Sequence, residues 1–331
     1  MIVPARHRAF FDLFPAPEFL LLSTTGVTVT DSDTKFVQLR RQTFGNGFEL
    51  AHASKINNPQ GAVEAGLINK PDELVSVLKK LSSHFNIRYA CATLPEEKVY
   101  LFTTSIEKVP FGGLRDAVAF IVEENVPVSL AESVFDFEII DQMPGSNKIK
   151  LTVTVLPKDI VNAYITLFES AGITPISFDI ESQAIARTLI HRGDRRPNLI
   201  INLSRKKTGF YVVEDKVVQF STTSAYSIGE DDSYSNLNDL KAEMYKVLAF
   251  WDARSDKSGQ AGKKIEKIIL CGFGASKHDF VGKLMSGSEI PYVLADVWQN
   301  MSVSRSYAPQ MSFDESLEYV STVGLILPRD R

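Results

Sequence analysis

Apolar and polar residues alternate in short runs along the chain, and the runs have the lengths of strands and amphipathic helices, not of membrane spans. Residues 20–29 form an apolar run, a polar segment that begins with serine, and a second apolar run. Residues 201–210 repeat this order, and the match continues from residues 35–39 to residues 216–220. A hairpin that recurs at so long a spacing predicts a duplicated domain, with a cleft between two similar halves.

The same pattern predicts the other elements. Period-two runs bounded by turn residues indicate strands, and apolar residues three or four positions apart indicate helices. Strands are predicted near residues 44–53, 89–95, 99–103, 133–140, 149–155, 176–180, 265–270 and 291–294, and helices near residues 69–81, 114–122, 157–172, 182–191, 240–251 and 277–284, before a closing run at residues 317–327. The elements between residues 99 and 172 make a small α+β unit that interrupts the first half.

Turn-rich segments give the domain boundaries. A polar turn that contains proline, at residues 192–197, separates the two halves. The chain is therefore divided into a leader (residues 1–16), a first half (residues 17–90 and 176–196), an inserted subdomain (residues 91–175) and a second half (residues 197–331).

Composition limits the functional classes. Of the 331 residues, 44% are hydrophobic and 23% are charged, and the net charge is −4, which is typical of a soluble protein and gives no basic surface for nucleic acid. No signal peptide is indicated, so a cytoplasmic location is expected. Cys91 and Cys271 lie in apolar runs and are predicted to be buried free thiols. The five histidines and two cysteines lack the spacing of metal ligands, so no metal site is predicted.

The basic and aromatic residues 6–14 allow two interpretations. The segment could contact a membrane surface or a partner, or it could pack on the first strand. It is too short to act as an anchor alone, which favours packing on the strand.

Several local patterns resemble one known family. They are a leader rich in Phe and Pro at residues 10–19, a strand-to-helix segment that begins at residues 61–68, the start of the inserted unit at residues 94–127, the link at residues 178–187 and the closing segment at residues 321–327. In their order and spacing these segments resemble PilM, the actin-like family of type IV pilus assembly proteins. That family is itself similar to the cell-division protein FtsA.

The resemblance implies an α/β fold of the actin-like type. Its two halves, each similar to ribonuclease H, correspond to subdomains 1A and 2A, and the inserted α+β unit corresponds to subdomain 1C. The subdomain called 2B, which covers the nucleotide in actin-like ATPases, is expected to be reduced or absent around residues 229–264. The chain there runs almost directly into a helix.

The resemblance also identifies a nucleotide pocket with altered residues. In actin-like ATPases both hairpin loops hold the phosphates, and an aspartate on each strand holds Mg²⁺ through water. The repeat places Leu21 and Asn202 at the aspartate positions. The positions assigned to the degenerate pocket are Leu21, Ser23, Thr24, Thr25, Gly26, Asn202, Ser204, Arg205, Lys206, Lys207, Gly272, Phe273 and Gly274. Since neither Leu21 nor Asn202 is charged, no catalytic residue is predicted and neither ATP nor Mg²⁺ is expected as a cofactor.

Two features of this pocket leave alternatives. Residues 205–207 add three positive charges, which could hold an anion without metal or could form a solvated hairpin tip. Asp179 and Glu181 stand in the link where actin-like enzymes orient the attacking water, but Asp179 could equally cap the following helix.

The resemblance implies a function in docking. The predicted function is a non-catalytic cytoplasmic scaffold that binds the N-terminal cytoplasmic peptide of a PilN-like single-span membrane protein in a cleft involving the 1C unit. That partner would hold the scaffold at the cytoplasmic membrane, and other pilus platform or motor ATPase components are further candidate partners. The alternative is a weak actin-like ATPase, as in FtsA-like or secretion-system relatives, whose nucleotide state controls partner binding or polymerisation. No local motif marks the peptide-binding residues.

Overall fold

The structure is a computed structural model, and it describes residues 25–41, 48–141, 147–191, 193–228, 234, 236–254, 263–301 and 309–328. The strands are β1 (Thr25–Val29), β2 (Asp33–Arg41), β3 (Phe48–Asn57), β4 (Val63–Glu64), β5 (Leu67–Ile68), β6 (Tyr89–Leu94), β7 (Tyr100–Glu107), β8 (Ser133–Asp141), β9 (Lys148–Pro157), β10 (Thr174–Ile180), β11 (Asn198–Leu203), β12 (Thr208–Glu214), β13 (Val217–Ser224), β14 (Lys267–Cys271) and β15 (Tyr292–Leu294). The helices are α1 (Pro71–Phe85), α2 (Leu114–Asn125), α3 (Lys158–Ser170), α4 (Glu181–Leu189), α5 (Leu237–Asp252), α6 (His278–Met285), α7 (Phe313–Ser316) and α8 (Val320–Gly324). Within these described ranges, no helix has the length and apolar character needed to cross a membrane.

Two five-stranded sheets form the two halves of the molecule. The first has the order β10-β6-β1-β2-β3 and the second has the order β15-β14-β11-β12-β13. In the first sheet β1 pairs antiparallel with β2 and parallel with β6, and in the second β11 pairs in the same way with β12 and β14. One topology thus occurs twice, as the repeated hairpin predicts.

Helix α1 shows how the first half follows its local sequence signals. Pro71 stands in the first turn, where its missing N–H leaves no hydrogen bond unmade. Leu74, Leu78 and Leu81 recur at helical spacing and are buried in the core of the first half. Asn86 ends the helix in the left-handed conformation, with φ of 52°. The helix is present as predicted, and its apolar face packs into the core of the first half.

The insertion between β6 and β10 is smaller than predicted. Strands β7, β9 and β8 form a separate three-stranded sheet, and α2 covers it, with Val118 and Leu151 buried in one common core. Helix α3 instead buries Phe168 in the core of the first half, and β6 belongs to the first sheet. The predicted range of residues 91–175 was too wide, because α3 follows β9 directly and its sequence does not show which sheet it covers. We call residues 96–157 the inserted module.

The second half has no room for a large extra subdomain. Strand β13, helix α5 and strand β14 follow one another along the chain through two connecting segments. Residues 229–233, 235 and 255–262 of these segments lie outside the described part of the chain. Neither connection is long enough to build a subdomain with its own core, which agrees with the predicted reduction of 2B.

The hairpin repeat is real, but its predicted register is wrong. The last paired residues of β1 and β2 are Val29 and Thr34, so residues 30–33 form the turn. Strands β11 and β12 close in the same way around residues 204–207. The sequence match had aligned β2 with β13, because a period-two pattern recurs in every strand of a sheet. We call residues 30–33 the first turn and residues 204–207 the second turn.

In the corrected register, the residues of the first half that correspond to the pocket positions of the second half are different from those predicted. Thr25 and Gly26, which the sequence placed in a phosphate-binding loop, lie inside β1 and pair with β2. Thr28 is the structural counterpart of Asn202, since each stands one residue before the last pair of its hairpin. The other assigned positions of this half, Leu21, Ser23 and Thr24, lie outside the described residues, as does the leader at residues 1–16.

Helices α4 and α8 cross between the two halves. Helix α4 follows β10 of the first sheet, yet its Ile185 is buried in the core of the second half. Helix α8 belongs to the second half but contacts the first sheet, because Thr322 Oγ1 lies 3.0 Å from Thr28 Oγ1 on β1. Where the helices meet, a Cβ atom on Gly324 would lie 1.8 Å from the carbonyl oxygen of Ala184. The crossing therefore requires glycine at this position.

Candidate functional site

The two turns line the cleft between the halves. The first turn carries Asp31 and Asp33, and the second carries Arg205, Lys206 and Lys207. Residues of both turns line the same two neighbouring cavities. An acidic turn thus faces a basic turn across the cleft, although each turn closes the corresponding hairpin of its own half.

Both carboxylates of the first turn hold the surrounding backbone and side chains. Asp31 accepts hydrogen bonds from the backbone N–H groups of Ala65, at 3.0 Å, and Gly66, at 3.3 Å. Asp33 Oδ1 lies 2.6 Å from Lys35 Nζ in a buried ion pair. Burial raises the pKa of Asp33, but the charge and hydrogen bond of Lys35 lower it further, so the pKa falls below its ordinary value. Asp33 is therefore ionised and paired at neutral pH.

The three cations of the second turn have different environments. The Arg205 guanidinium stacks over the ring of Phe273, 3.5 Å from its centroid. Lys206 is exposed. Lys207 crosses the cleft, and its Nζ donates to Oε1 of Glu97 at 2.6 Å. The sequence left two interpretations of residues 205–207, an anion site and a solvated hairpin tip. Of the three cations, only Lys206 fits the solvated tip.

Lys207 is buried between two carboxylates. Its Nζ also lies 3.8 Å from Oε2 of Glu181, and its side chain is only 14% exposed. Burial lowers the pKa of Lys207, but the charges of Glu181 and Glu97 raise it further, so the net pKa lies above its usual value. Lys207 therefore stays protonated inside the cleft.

Glu181 connects this ion pair to the second sheet. Its Oε1 accepts a hydrogen bond from Asn202 Nδ2 at 3.2 Å, and its Oε2 accepts one from Tyr211 OH at 3.4 Å. Burial raises the pKa of Tyr211, so the phenol stays protonated and can donate. The Cys271 thiol donates to Asn202 Oδ1 at 3.8 Å. The Asn202 side chain is thus occupied on both sides by protein groups.

Both cysteines are free thiols, and they differ in burial. Cys271 is buried as predicted, and burial raises the pKa of its thiol, whereas Cys91 is only partly buried. Across the residues that the structure describes, no group of three or more His, Cys, Asp or Glu side chains is placed to hold a metal ion.

Close packing explains the glycines of the turn after β14. Gly272 has φ of 84°, and a Cβ atom there would lie 2.6 Å from Asn202 Oδ1. A Cβ atom on Gly274 would lie 2.8 Å from Leu203 Cβ. Both glycines let the turn approach the end of β11, and Phe273 between them is covered by Arg205.

The start of α4 is capped from outside the helix. Asp179, one of whose predicted roles was the cap, instead accepts a hydrogen bond from Arg187 Nη1 at 3.0 Å. Glu96 Oε2 accepts the N–H of Ser182 at 3.0 Å. Glu96 is 3% exposed, and burial raises its pKa above the ordinary value. The inserted module thus begins with a residue that holds the helix between the halves.

Comparison with known proteins identifies the family. A model of the type IV pilus assembly protein PilM matches residues 26–229, which is more than half of the chain. The chain belongs to the PilM family. The match begins in β1 and covers both turns, the inserted module and the three antiparallel strands of the second sheet. The family predicted from local sequence patterns is therefore confirmed.

Solved structures confirm the actin-like fold of this PilM-family chain. A structure described as the PilM-PilN type IV pilus biogenesis complex is similar over 92% of this chain and 97% of that chain, with a TM-score of 0.75 and 17% sequence identity. The ethanolamine utilization protein EutJ from Carboxydothermus hydrogenoformans is similar over 95% of this chain and 91% of that chain, with a TM-score of 0.54 and 10% identity. A search of curated proteins gave no match.

The sequence patterns do not predict several residues of this chain that lie around the two turns. The predicted site does not include Glu97 or Tyr211, and Lys35 enters the predictions only as part of the repeated segment at residues 35–39. The available signal was a pair of glutamates after Pro95 at the end of one strand and a run of cations after β11. Because strand ends of both halves meet at one cleft in a duplicated fold, opposite charges at these ends predict contact.

Proposed function

We propose that this chain is a non-catalytic scaffold of type IV pilus assembly that docks the N-terminal tail of a PilN-like membrane protein. The similarity to a structure described as a PilM-PilN complex carries the proposal. Docking a short tail requires a groove on a folded body and no reacting group. The tail would hold the chain at the cytoplasmic face of the membrane, and other pilus platform or motor ATPase components are candidate partners for its remaining surface.

The chemistry of the cleft supports a role without catalysis. Actin-like ATPases hold Mg²⁺ through aspartates at the ends of two strands, and the corresponding residues here are Thr28 and Asn202, which carry no charge. The ammonium of Lys207 already stands among the carboxylates of the cleft, and Arg205 covers Phe273. These residues do not fit a magnesium-nucleotide complex held in the usual way.

We expect millimolar Mg-ATP to leave the melting temperature unchanged. A ligand present at 100 times its Kd would add about 2.7 kcal/mol to the free energy of unfolding, which a thermal shift measurement detects easily. Mg²⁺ alone and ADP serve as controls. A clear rise with Mg-ATP would instead support a weak actin-like ATPase, the alternative that the three cations of residues 205–207 favour.

A groove beside the first turn is the proposed docking site for the tail. The cavity there is lined by Gly66, Pro95 and Tyr164, so it lies between the first half and the root of the inserted module. Tyr164 OH donates to the carbonyl oxygen of Gly66 at 3.2 Å, which fixes that wall. Leu67, next to this wall, is 43% exposed and offers an apolar contact.

A synthetic peptide with the N-terminal cytoplasmic residues of a PilN-like membrane protein tests the docking. We expect calorimetry to show binding, and Leu67→Ser to weaken it by about tenfold or more, since an apolar anchor is lost. Val293→Ser, on β15 of the second half, removes an apolar side chain of matching exposure, 44%, and should leave binding unchanged. Absence of binding to the unaltered chain contradicts the docking function, whereas equal binding by both variants contradicts only its location.

A further inference from the structure

Among the described residues, two of the regions where the halves meet differ in chemical character. At the crossing of α4 and α8 they are joined by close packing around Gly324. Across the cleft they are joined by a buried group of charges, Glu97, Glu181 and Lys207, which we call the cleft latch. We propose that Lys207 is a built-in cation that closes the cleft without a ligand and fixes the inserted module to the second half.

The three residues of the cleft latch come from three different parts of the fold. Lys207 ends the second turn, and Glu97 lies in the 3-10 turn Glu96–Lys98, which begins the inserted module. Glu181 is the first residue of α4, the helix that leads from one half to the other. The Lys207 Nζ atom lies 2.6 Å from Glu97 and 3.8 Å from Glu181. One ammonium group therefore holds the module, the linking helix and the second sheet together.

The charges around Lys207 require a cation at this place. Glu97, Glu181 and Asp31 each act on its ammonium group as negative charges. The Glu97 and Glu181 side chains are 13% and 8% exposed, so water screens their repulsion weakly. Oε2 of Glu97 is buried and has no hydrogen-bond partner among the described residues. Without Lys207, both carboxylates would lose their compensating charge, and the cleft would have to open to hydrate them.

The inserted module is also held to the body by the 3.0 Å hydrogen bond from the N–H of Ser182 to Glu96 Oε2, whereas the polar contacts of its sheet are longer. Thr103 Oγ1 donates to the carbonyl oxygen of Gln219 on β13 at 3.5 Å, and Gln183 Nε2 on α4 donates to Thr154 Oγ1 at 3.4 Å. Both distances are at the limit of a hydrogen bond and indicate weak contacts. Leu101 adds an apolar contact with the cores of both halves. Of these contacts, the 2.6 Å ion pair is the shortest and joins two charged side chains, so we expect it to contribute most to holding the module.

Opening of the cleft latch would free the residues that form it and would also weaken the cap of α4. Release of Lys207 frees the second turn, and release of Glu97 frees the first residues of the module. Glu96 would be affected too, because it caps α4 from the same 3-10 turn. The position of the module and the closure of the cleft are then one equilibrium rather than two.

Hydrogen exchange of the full chain with Lys207→Met tests this inference. Methionine keeps most of the apolar stem and removes the charge. We expect exchange to become about tenfold faster or more in residues 96–107 and in β13, while β6 and β14 in the sheet interiors stay protected. Lys246→Met removes a lysine from an exposed ion pair on α5 and should change nothing in these segments.

Three outcomes of this experiment are informative. A selective increase at the module and β13 supports the cleft latch. Unchanged exchange there overturns it, and so does a uniform increase over all strands, which would show that Lys207 contributes only to global stability. If Lys207→Met does not fold, Glu97→Gln keeps the pairing of Lys207 with Glu181. It should produce the same selective pattern with a smaller increase, and its absence would overturn the proposal.

Discussion

Replacing Gly324 with alanine should destabilise the protein by about 3 kcal/mol, the upper end of the usual cost of overpacking. A Cβ atom at this position would lie 1.8 Å from the carbonyl oxygen of Ala184 and 2.6 Å from Thr188 Oγ1. The first of these atoms belongs to the backbone of α4, which cannot move aside as the end of a long side chain can. The crossing helices would have to separate, and the contact between the two halves would loosen.

Gly282→Ala is the matched control for this prediction. Gly282 lies inside α6, and a Cβ atom there would meet nothing within 4 Å. Alanine in a helix interior is more favourable than glycine by about 0.5–1 kcal/mol, so this variant should be slightly more stable than the unaltered chain. Urea unfolding followed by circular dichroism measures both. Similar small effects of the two substitutions would contradict the close packing at the crossing.

The sequence predicts most of the fold because its strands and helices are strongly patterned. Residues 89–95 and 240–251 were assigned to the correct element types from periodicity and turn residues alone. The boundary of the inserted module was less predictable, because α3 has an apolar face that suits either neighbour. Only the tertiary packing of Phe168 shows that it belongs to the first half.

The register error shows a limit of pattern matching in a duplicated α/β protein. Alternation identifies a strand but does not distinguish β12 from β13, so a short match can shift by a whole strand. The predicted loss of charge at the strand end survives the correction, because Thr28 replaces Leu21 as the residue concerned and is also uncharged. The prediction that this strand end carries no charge therefore holds in either register, whereas the identity of the residue depends on the register.

Long-range pairing is the part of the site that the sequence does not determine. The segment of residues 205–207 suggested either an anion site or a solvated tip, and neither predicts an ion pair with Glu97. Glu97 and Lys207 are separated by 110 residues, and no periodic pattern links them. Their contact follows from the meeting of the end of β6 in one half with the end of β11 in the other, which only the assembled fold provides.

Arg187→Met should destabilise the protein by about 3–5 kcal/mol, as expected when one partner of a buried ion pair is removed. The Arg187 guanidinium is 13% exposed and donates from Nη1 to Asp179 Oδ2 at 3.0 Å and also to the carbonyl oxygen of Gly324. It therefore joins β10, α4 and α8 at one point. Methionine fills similar volume but leaves the buried Asp179 carboxylate without this cation and the Gly324 carbonyl without this donor.

Urea unfolding separates this effect from a general sensitivity to loss of arginine. Arg196→Met removes one partner of the Arg196–Asp194 pair, in which the arginine is 56% exposed, and should change stability little because water replaces the lost contact. Adding Asp179→Asn to Arg187→Met should recover part of the lost stability, since the protein then no longer buries a carboxylate that has lost the charge of Arg187. A double variant no more stable than Arg187→Met would show that the loss comes from the contact with α8 rather than from charge. If Arg187→Met proves as mild as Arg196→Met, the Arg187 ion pair contributes little to the crossing of α4 and α8, and the packing around Gly324 and the hydrogen bond from Thr188 Oγ1 to the carbonyl oxygen of Val320 hold it.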